Sequence, residues 1–95
     1  MRKWTVRDRY GNQIYMTEER WRHIVKRHEE LAAHFDDVLD AIRQGRRSQD
    51  AILPYKYIYL WPCDRLLPEY NRIVVIVIFK EEDNNFVVTA WPDFK

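Results

Sequence analysis

The stretch Arg72 to Lys80, RIVVIVIFK, limits the folds open to this chain more than any other, because it sets seven consecutive apolar residues between two cations. Most of the seven are β-branched; such side chains lose rotamer freedom in a helix and pack well on a pleated surface. A run this short, without polar alternation, reads as a strand covered on both faces. It is therefore expected in the middle of a sheet. What covers its faces, and what Lys80 meets at its end, decide the rest.

On either side the pattern changes period. Trp4 to Arg7 alternates, Asp8 to Asn12 forms a Gly-centred turn, and Gln13 to Met16 alternates again, which is a hairpin signal. Thr17 is then placed to cap a helix, with Glu18 and Glu19 in its first turn. Trp21, Ile24, Val25, His28, Leu31, Ala32 and Phe35 follow at helical spacing, and a break is expected near His34, where that stripe ends and acids crowd the next turn. A second helix is expected from about Phe35 or Asp36 to Gln44, with Val38, Leu39 and Ile42 as its apolar face and Gly45 as a C′ residue. Arg46 to Ile52 suits a short edge strand, Lys56 to Trp61 alternates cleanly, Pro62 to Glu69 reads as a loop, and Phe86 to Trp91 reads as the last strand. The predicted class is α+β, with an N-terminal hairpin and two helices packed on a mainly antiparallel C-terminal sheet.

Ninety-five residues suit one domain, residues 1–95. A single cysteine, Cys63, excludes an internal disulfide and leaves no thiol cluster for a metal. No apolar run approaches membrane-spanning length and the N-terminus lacks an apolar leader, so a soluble cytoplasmic protein without a membrane partner is expected. Charge is segregated: residues 1–28 carry eight Lys or Arg against three acids, whereas residues 29–42 carry five acids and no Lys or Arg. The basic front is either a local anion-binding surface or a set of solvated helix faces.

Two histidines stand out. His23 and His28 lie five residues apart, about 140° around a helix, which is wrong spacing for a shared metal ion. The plainer reading of His28 is a core histidine bonded to backbone; the functional reading is a ring at the rim between helix and sheet, trading protons near neutral pH. His23 sits beside Arg20 and Arg27, which favour neutral imidazole and can bind phosphate. Lys80 depends on register. A two-residue turn at Asn84-Asn85 pairs Asp83 with Phe86 and Lys80 with Thr89, whereas a five-residue loop sets Lys80 against Phe86. Tyr57, Tyr59 and Trp61 share a strand face that either stacks on bases or forms core or a dimer interface.

The ordered set TEERWRHIVKRHEEL, a second helix, RRS, an aromatic strand, a Val/Ile strand ending in Lys, and FVVTAW resembles the phage and bacterial toxin-like branch of the barnase–EndoU–colicin–RelE nuclease superfamily. The likeness runs from about Asp8 to Trp91. His23 and His28 match that branch's two helix histidines, Ser48 its small polar residue after the second helix, Lys80 its strand-end lysine, and Thr89 its threonine before the last aromatic. Glu29 stands where the branch has proline, and YIYLWP lacks its strand arginine, for which Arg65 and Arg72 are candidate replacements.

The resemblance implies a metal-independent endoribonuclease without a cofactor, with His23, His28, Lys80 and Thr89 as catalytic residues. Arg20, Arg27, Ser48, Tyr59 and Arg72 are then its substrate-binding candidates. RNA is the implied substrate, an antitoxin or immunity protein a candidate partner, and a homodimer a candidate assembly. The alternative is a non-catalytic RNA- or protein-binding domain on the same scaffold.

Overall fold

A computed structural model describes residues 2–66, 69–81 and 84–94. Six strands form one mixed sheet: β1 (Lys3–Arg7), β2 (Gln13–Thr17), β3 (Arg46–Gln49), β4 (Lys56–Pro62), β5 (Arg72–Lys80) and β6 (Asn84–Asp93). Their spatial order is β1-β2-β6-β5-β4-β3, so the Val/Ile strand is one of the two central strands, as its composition requires. All neighbours are antiparallel except β2 and β6, which run parallel and meet at Tyr15 and Phe86. Through that pair the N-terminal hairpin joins the C-terminal sheet. Two helices, α1 (Glu18–Arg27) and α2 (Phe35–Gln44), complete the α+β architecture.

One face of the sheet carries the main core. Val6, Ile14 and Met16 of the hairpin, Tyr59 of β4, Ile73, Val75 and Val77 of β5, and Val87 and Ala90 of β6 gather there with Ile24 of α1 and Val38, Leu39, Ala41 and Ile42 of α2. Each of the Val, Leu, Ile and Met side chains contributes about 1.5–3 kcal/mol on full burial. On the opposite face Val74 and Ile76 are also buried. Their cross-strand neighbours there are Leu60 and Ile58 on β4, and Trp91 and Thr89 on β6. The apolar run is therefore covered on both faces, by the helices on one and by flanking side chains on the other.

Thr17 caps α1 as expected, its Oγ1 accepting from the Arg20 amide at 3.1 Å. The helix stops at Arg27, seven residues before the expected break, and a 3₁₀ turn over Glu29–Leu31 leads to α2. Phe35 explains the discrepancy. It belongs to α2 and packs edge-on against both Trp21 of α1 and Trp4 of β1, with centroids 5.0 and 4.7 Å apart, so it prolongs the stripe only in sequence.

Gly45 ends α2 in extended backbone (φ −66°, ψ 154°) rather than in the left-handed conformation of a C′ glycine. Its requirement is space. A Cβ there would drive into the Ala41 carbonyl oxygen and lie 2.8 Å from that of Leu60, because the chain turns tightly from helix to sheet.

The β5–β6 hairpin closes differently from either register considered. Lys80 pairs with Asn84, Phe79 with Asn85 and Ile78 with Phe86, so both asparagines are strand residues. Asn85 is buried and donates to the Gln13 carbonyl at 3.0 Å, which commits it to bridging β6 and β2 rather than to a tight turn. Glu82 and Asp83 of the connection, like Leu67 and Pro68 of the Pro62–Glu69 segment, lie outside the described residues. Farther along, Val77 pairs with Val87 but Ile76 pairs with Thr89, leaving Val88 as the extra residue of a β-bulge. Without the bulge Val87 and Thr89 would share a face; with it Val87 enters the core and Thr89 points the other way.

Candidate active site

The bulge lies beside α1. Because β2 ends at Thr17, where α1 begins, the helix runs alongside the part of β6 beyond the β2 pairing. Ile24 anchors the helix in the core. Arg20, His23, Arg27 and His28 then line a cleft of about 570 Å³ whose other wall is Val88, Thr89 and Trp91. Two of the three β6 residues are there because of the bulge: Val88 is the extra residue and Thr89 is turned outward by it.

The two histidines reach one cleft although an unbroken helix would set them about 140° apart. His28 is no longer helical. At φ −134° and ψ 77° it caps α1, its amide donating to the Ile24 carbonyl at 2.8 Å and its own carbonyl accepting from Leu31. The early helix end therefore swings the His28 side chain off the helical arc. His28 is half-buried and His23 exposed. Among the described residues neither ring makes a hydrogen bond, so the core histidine bonded to backbone is not what the structure shows.

Arg20 and Arg27 are exposed and, among the described residues, have no carboxylate partner. Five other arginines do: Arg22 with Glu18, Arg43 with Asp40, Arg47 with Asp8, Arg65 with Asp37 and Arg72 with Asp93. Two guanidiniums without a carboxylate partner among the described residues thus stand beside two imidazoles, side chains whose chemistry is able to bind an anion and to exchange protons.

The remaining sequence candidates lie elsewhere. Lys80 is on the same sheet face as Thr89 but opposite Asn84, so it stands four β5 residues, about 13 Å, from Ile76, the partner of Thr89. Ser48, Ile58, Ile76 and Thr89 form one cross-strand row, which puts Ser48 three strand spacings, about 14 Å, from Thr89. Arg72 is tied to Asp93 at 2.6 Å and lines a separate cleft with Arg9, Arg46 and Trp61. That cleft is larger, about 650 Å³, but its lining contains no histidine or carboxylate. Arg65, the other candidate for the missing strand arginine, is held by Asp37 at the start of α2.

Tyr59 corrects the base-stacking expectation outright, being fully buried on the core face. Its hydroxyl donates to Asp8 Oδ2, which also accepts from Arg47 at 3.2 Å. Arg47 donates in addition to Asn12 at 2.8 Å and stacks on the rings of Tyr10, Tyr57 and Phe79. Burial, followed by the Asp8 carboxylate, pushes the Tyr59 hydroxyl well above the ordinary tyrosine range. Sequence reading missed this clasp because its members are 51 and 39 residues from Asp8 and nothing in their local pattern links them.

Comparison with protein-family models, curated proteins and solved structures finds no match, so the functional reading of the cleft rests on its own geometry and on the sequence resemblance.

Proposed function

We propose that the protein is a metal-independent endoribonuclease whose active centre is the cleft between α1 and β6. The observation that carries the reading is the gathering of His23, His28, Arg20, Arg27 and Thr89 around one opening, with both imidazoles free of partners among the described residues. One histidine removes the proton of a ribose 2′-hydroxyl, whose oxygen then attacks the adjacent phosphorus. The other protonates the departing 5′-oxygen, and a 2′,3′-cyclic phosphate remains. Arg20 and Arg27 meet the charge that builds on the phosphorane oxygens, in the place expected for Lys80. Thr89 Oγ1 supplies a hydrogen bond to the phosphate or ribose. Basic residues at the cleft mouth suit a polyanionic substrate. A cytoplasmic, toxin-like role with an antitoxin or immunity partner is the part of this proposal that rests on resemblance alone. No helix among the described residues is long and apolar enough to cross a membrane.

Incubation of the full chain with RNA in excess EDTA tests the reading. The expected result is cleavage with cyclic-phosphate ends, falling at least about 100-fold in His23→Ala and in His28→Ala. No cleavage by the wild type, or cleavage by both variants at the wild-type rate, overturns it. The displacement of Lys80 from the cleft favours a second reading, a binding domain without turnover, for which salt-dependent RNA binding in the absence of cleavage is the signature.

A further inference from the structure

Away from the α1/β6 cleft, one turn of α2 and the segment after β4 bring together a histidine, a carboxylate and the lone thiol. His34 and Asp37 are three residues apart, which places them on one side of the helix start. His34 Nδ1 lies 2.9 Å from Asp37 Oδ2. Cys63, just beyond β4, is buried beside them, and one donor atom from each of the three residues falls within 4.8 Å of the others. None of the three lines the histidine cleft.

We propose that His34, Asp37 and Cys63 form a binding site for a zinc-class divalent ion. A mixed nitrogen, oxygen and sulfur donor set selects borderline metals such as Zn²⁺ and Co²⁺ over Mg²⁺ and Ca²⁺, which favour oxygen alone. Ligand atoms of a tetrahedral zinc site lie about 3.3–3.8 Å apart, so the present spacing requires shifts of under about 1.5 Å. Water takes the fourth position from an adjoining cleft lined by His34, Asp37, Asp40 and Arg65. The thiol gives its proton to solvent on binding, and the two anionic ligands then balance the dication.

Arg65 is the competitor. It holds the Asp37 carboxylate from a side chain that is 63% exposed, and must swing into solvent as the metal arrives. In the metal-free protein it supplies the positive charge that the metal would otherwise bring. The placing of the lone cysteine and the histidines along the chain gave no sign of the trio, because its thiol comes from a different part of the fold.

The test is titration of the reduced, metal-stripped full chain with Co²⁺. Binding of one equivalent, with a near-ultraviolet sulfur-to-cobalt band and the strong visible absorption of a four-coordinate ion, is expected, and Zn²⁺ should displace the cobalt. The band should disappear in Cys63→Ser, or in Cys63→Ala if the serine variant does not fold by circular dichroism. Affinity should fall at least tenfold in His34→Ala and in Asp37→Asn, and rise in Arg65→Ala. Zinc-edge X-ray absorption on the wild type should count one sulfur among its neighbours. Absence of the sulfur band in both the wild type and Arg65→Ala overturns the proposal, as does unchanged affinity in His34→Ala and Asp37→Asn. The ribonuclease assay is run in chelator, so either reading can fail without the other.

Discussion

Thr89 stands opposite Ile76 in the β5/β6 ladder, and Lys80 stands opposite Asn84. The separation distinguishes two catalytic schemes. If the strand-end lysine stabilised the phosphorane, Lys80→Ala would cost as much turnover as loss of a histidine. With the cation role assigned to Arg20 and Arg27, Lys80→Ala should leave the cleavage rate within about twofold while His28→Ala lowers it at least about 100-fold. Single-turnover rates on one RNA substrate distinguish the two outcomes.

Arg20 and Arg27 should be separable from the proton-transfer groups by their salt dependence. An arginine that neutralises one phosphate of a single strand contributes about 0.7 to the slope of log affinity against log salt. Arg20→Ala and Arg27→Ala should each flatten that slope by about this amount. His23→Ala, if its ring works as a proton carrier, should leave the slope in place while cleavage falls. RNA binding measured between low and moderate salt reads both effects.

The clasp at the turn of the N-terminal hairpin should be a major source of stability. Asp8 accepts from the Tyr10 and Asn12 amides through Oδ1, at 2.9 and 2.8 Å, and from Tyr59 and Arg47 through Oδ2. The Asp8 side chain is fully buried and that of Arg47 is 20% exposed, so removing the carboxylate strands a largely buried cation and several donors. Asp8→Ala should cost about 3–5 kcal/mol. Urea denaturation measures the loss, and Asp8→Asn should recover part of it by keeping an oxygen for the two amides.

Elements bounded by clear period changes were legible in the chain. The Val/Ile strand runs from Arg72 to Lys80 in both sequence and structure, and Thr17 caps α1 as its position suggested. Three things were not legible, for physical reasons that local pattern does not carry. Phe35 satisfies the helical spacing of α1 while belonging to α2, because an apolar residue fits either stripe and only tertiary packing decides. The bulge at Val88 inserts one residue into a run of uniformly strand-forming side chains, and that single insertion reverses the side to which Thr89 points. Arg47, Arg65 and Arg72 are held by carboxylates distant in sequence, which local pattern does not reveal. Composition therefore revealed a basic front half, but not that Arg20 and Arg27 lack a carboxylate partner among the described residues while the Arg47 cation is committed to Asp8.

Alkaline pH should expose the contribution of Tyr59. Its hydroxyl titrates above the ordinary value of 10.0 in the folded chain, owing to burial first and the Asp8 carboxylate second. Above about pH 10 the unfolded chain then binds fewer protons than the folded one, so stability falls as pH rises. The contribution is complete below the unfolded value and is lost progressively toward the folded one. Urea midpoints measured from pH 9 to 11.5 should drop more steeply for the wild type than for Tyr59→Phe, whose curve retains only the titration of the other groups. Parallel slopes would detach Tyr59 from the effect.

Gly45 offers a test of close packing without charge. Its backbone angles, φ −66° and ψ 154°, are open to any residue, so conformational freedom does not explain the glycine. The obstacle is steric: a Cβ meets the Ala41 and Leu60 carbonyl oxygens, both backbone atoms, one in the last turn of α2 and one in β4. Neither can rotate aside as a side chain would. Gly45→Ala must therefore push the end of α2 away from the sheet, at the point where Ala41, Ile42 and Tyr59 are fully buried. A loss of about 3 kcal/mol is expected, at the upper end for overpacking because the clash is with backbone. Gly11, by contrast, has a positive φ of 87° and nothing within 4 Å of the place a Cβ would occupy, so Gly11→Ala meets conformational strain alone and should cost about 1 kcal/mol. Thermal or urea unfolding of the two variants side by side should rank Gly45→Ala well below Gly11→Ala in stability; the reverse order would show that the helix end yields without disturbing the core beneath it.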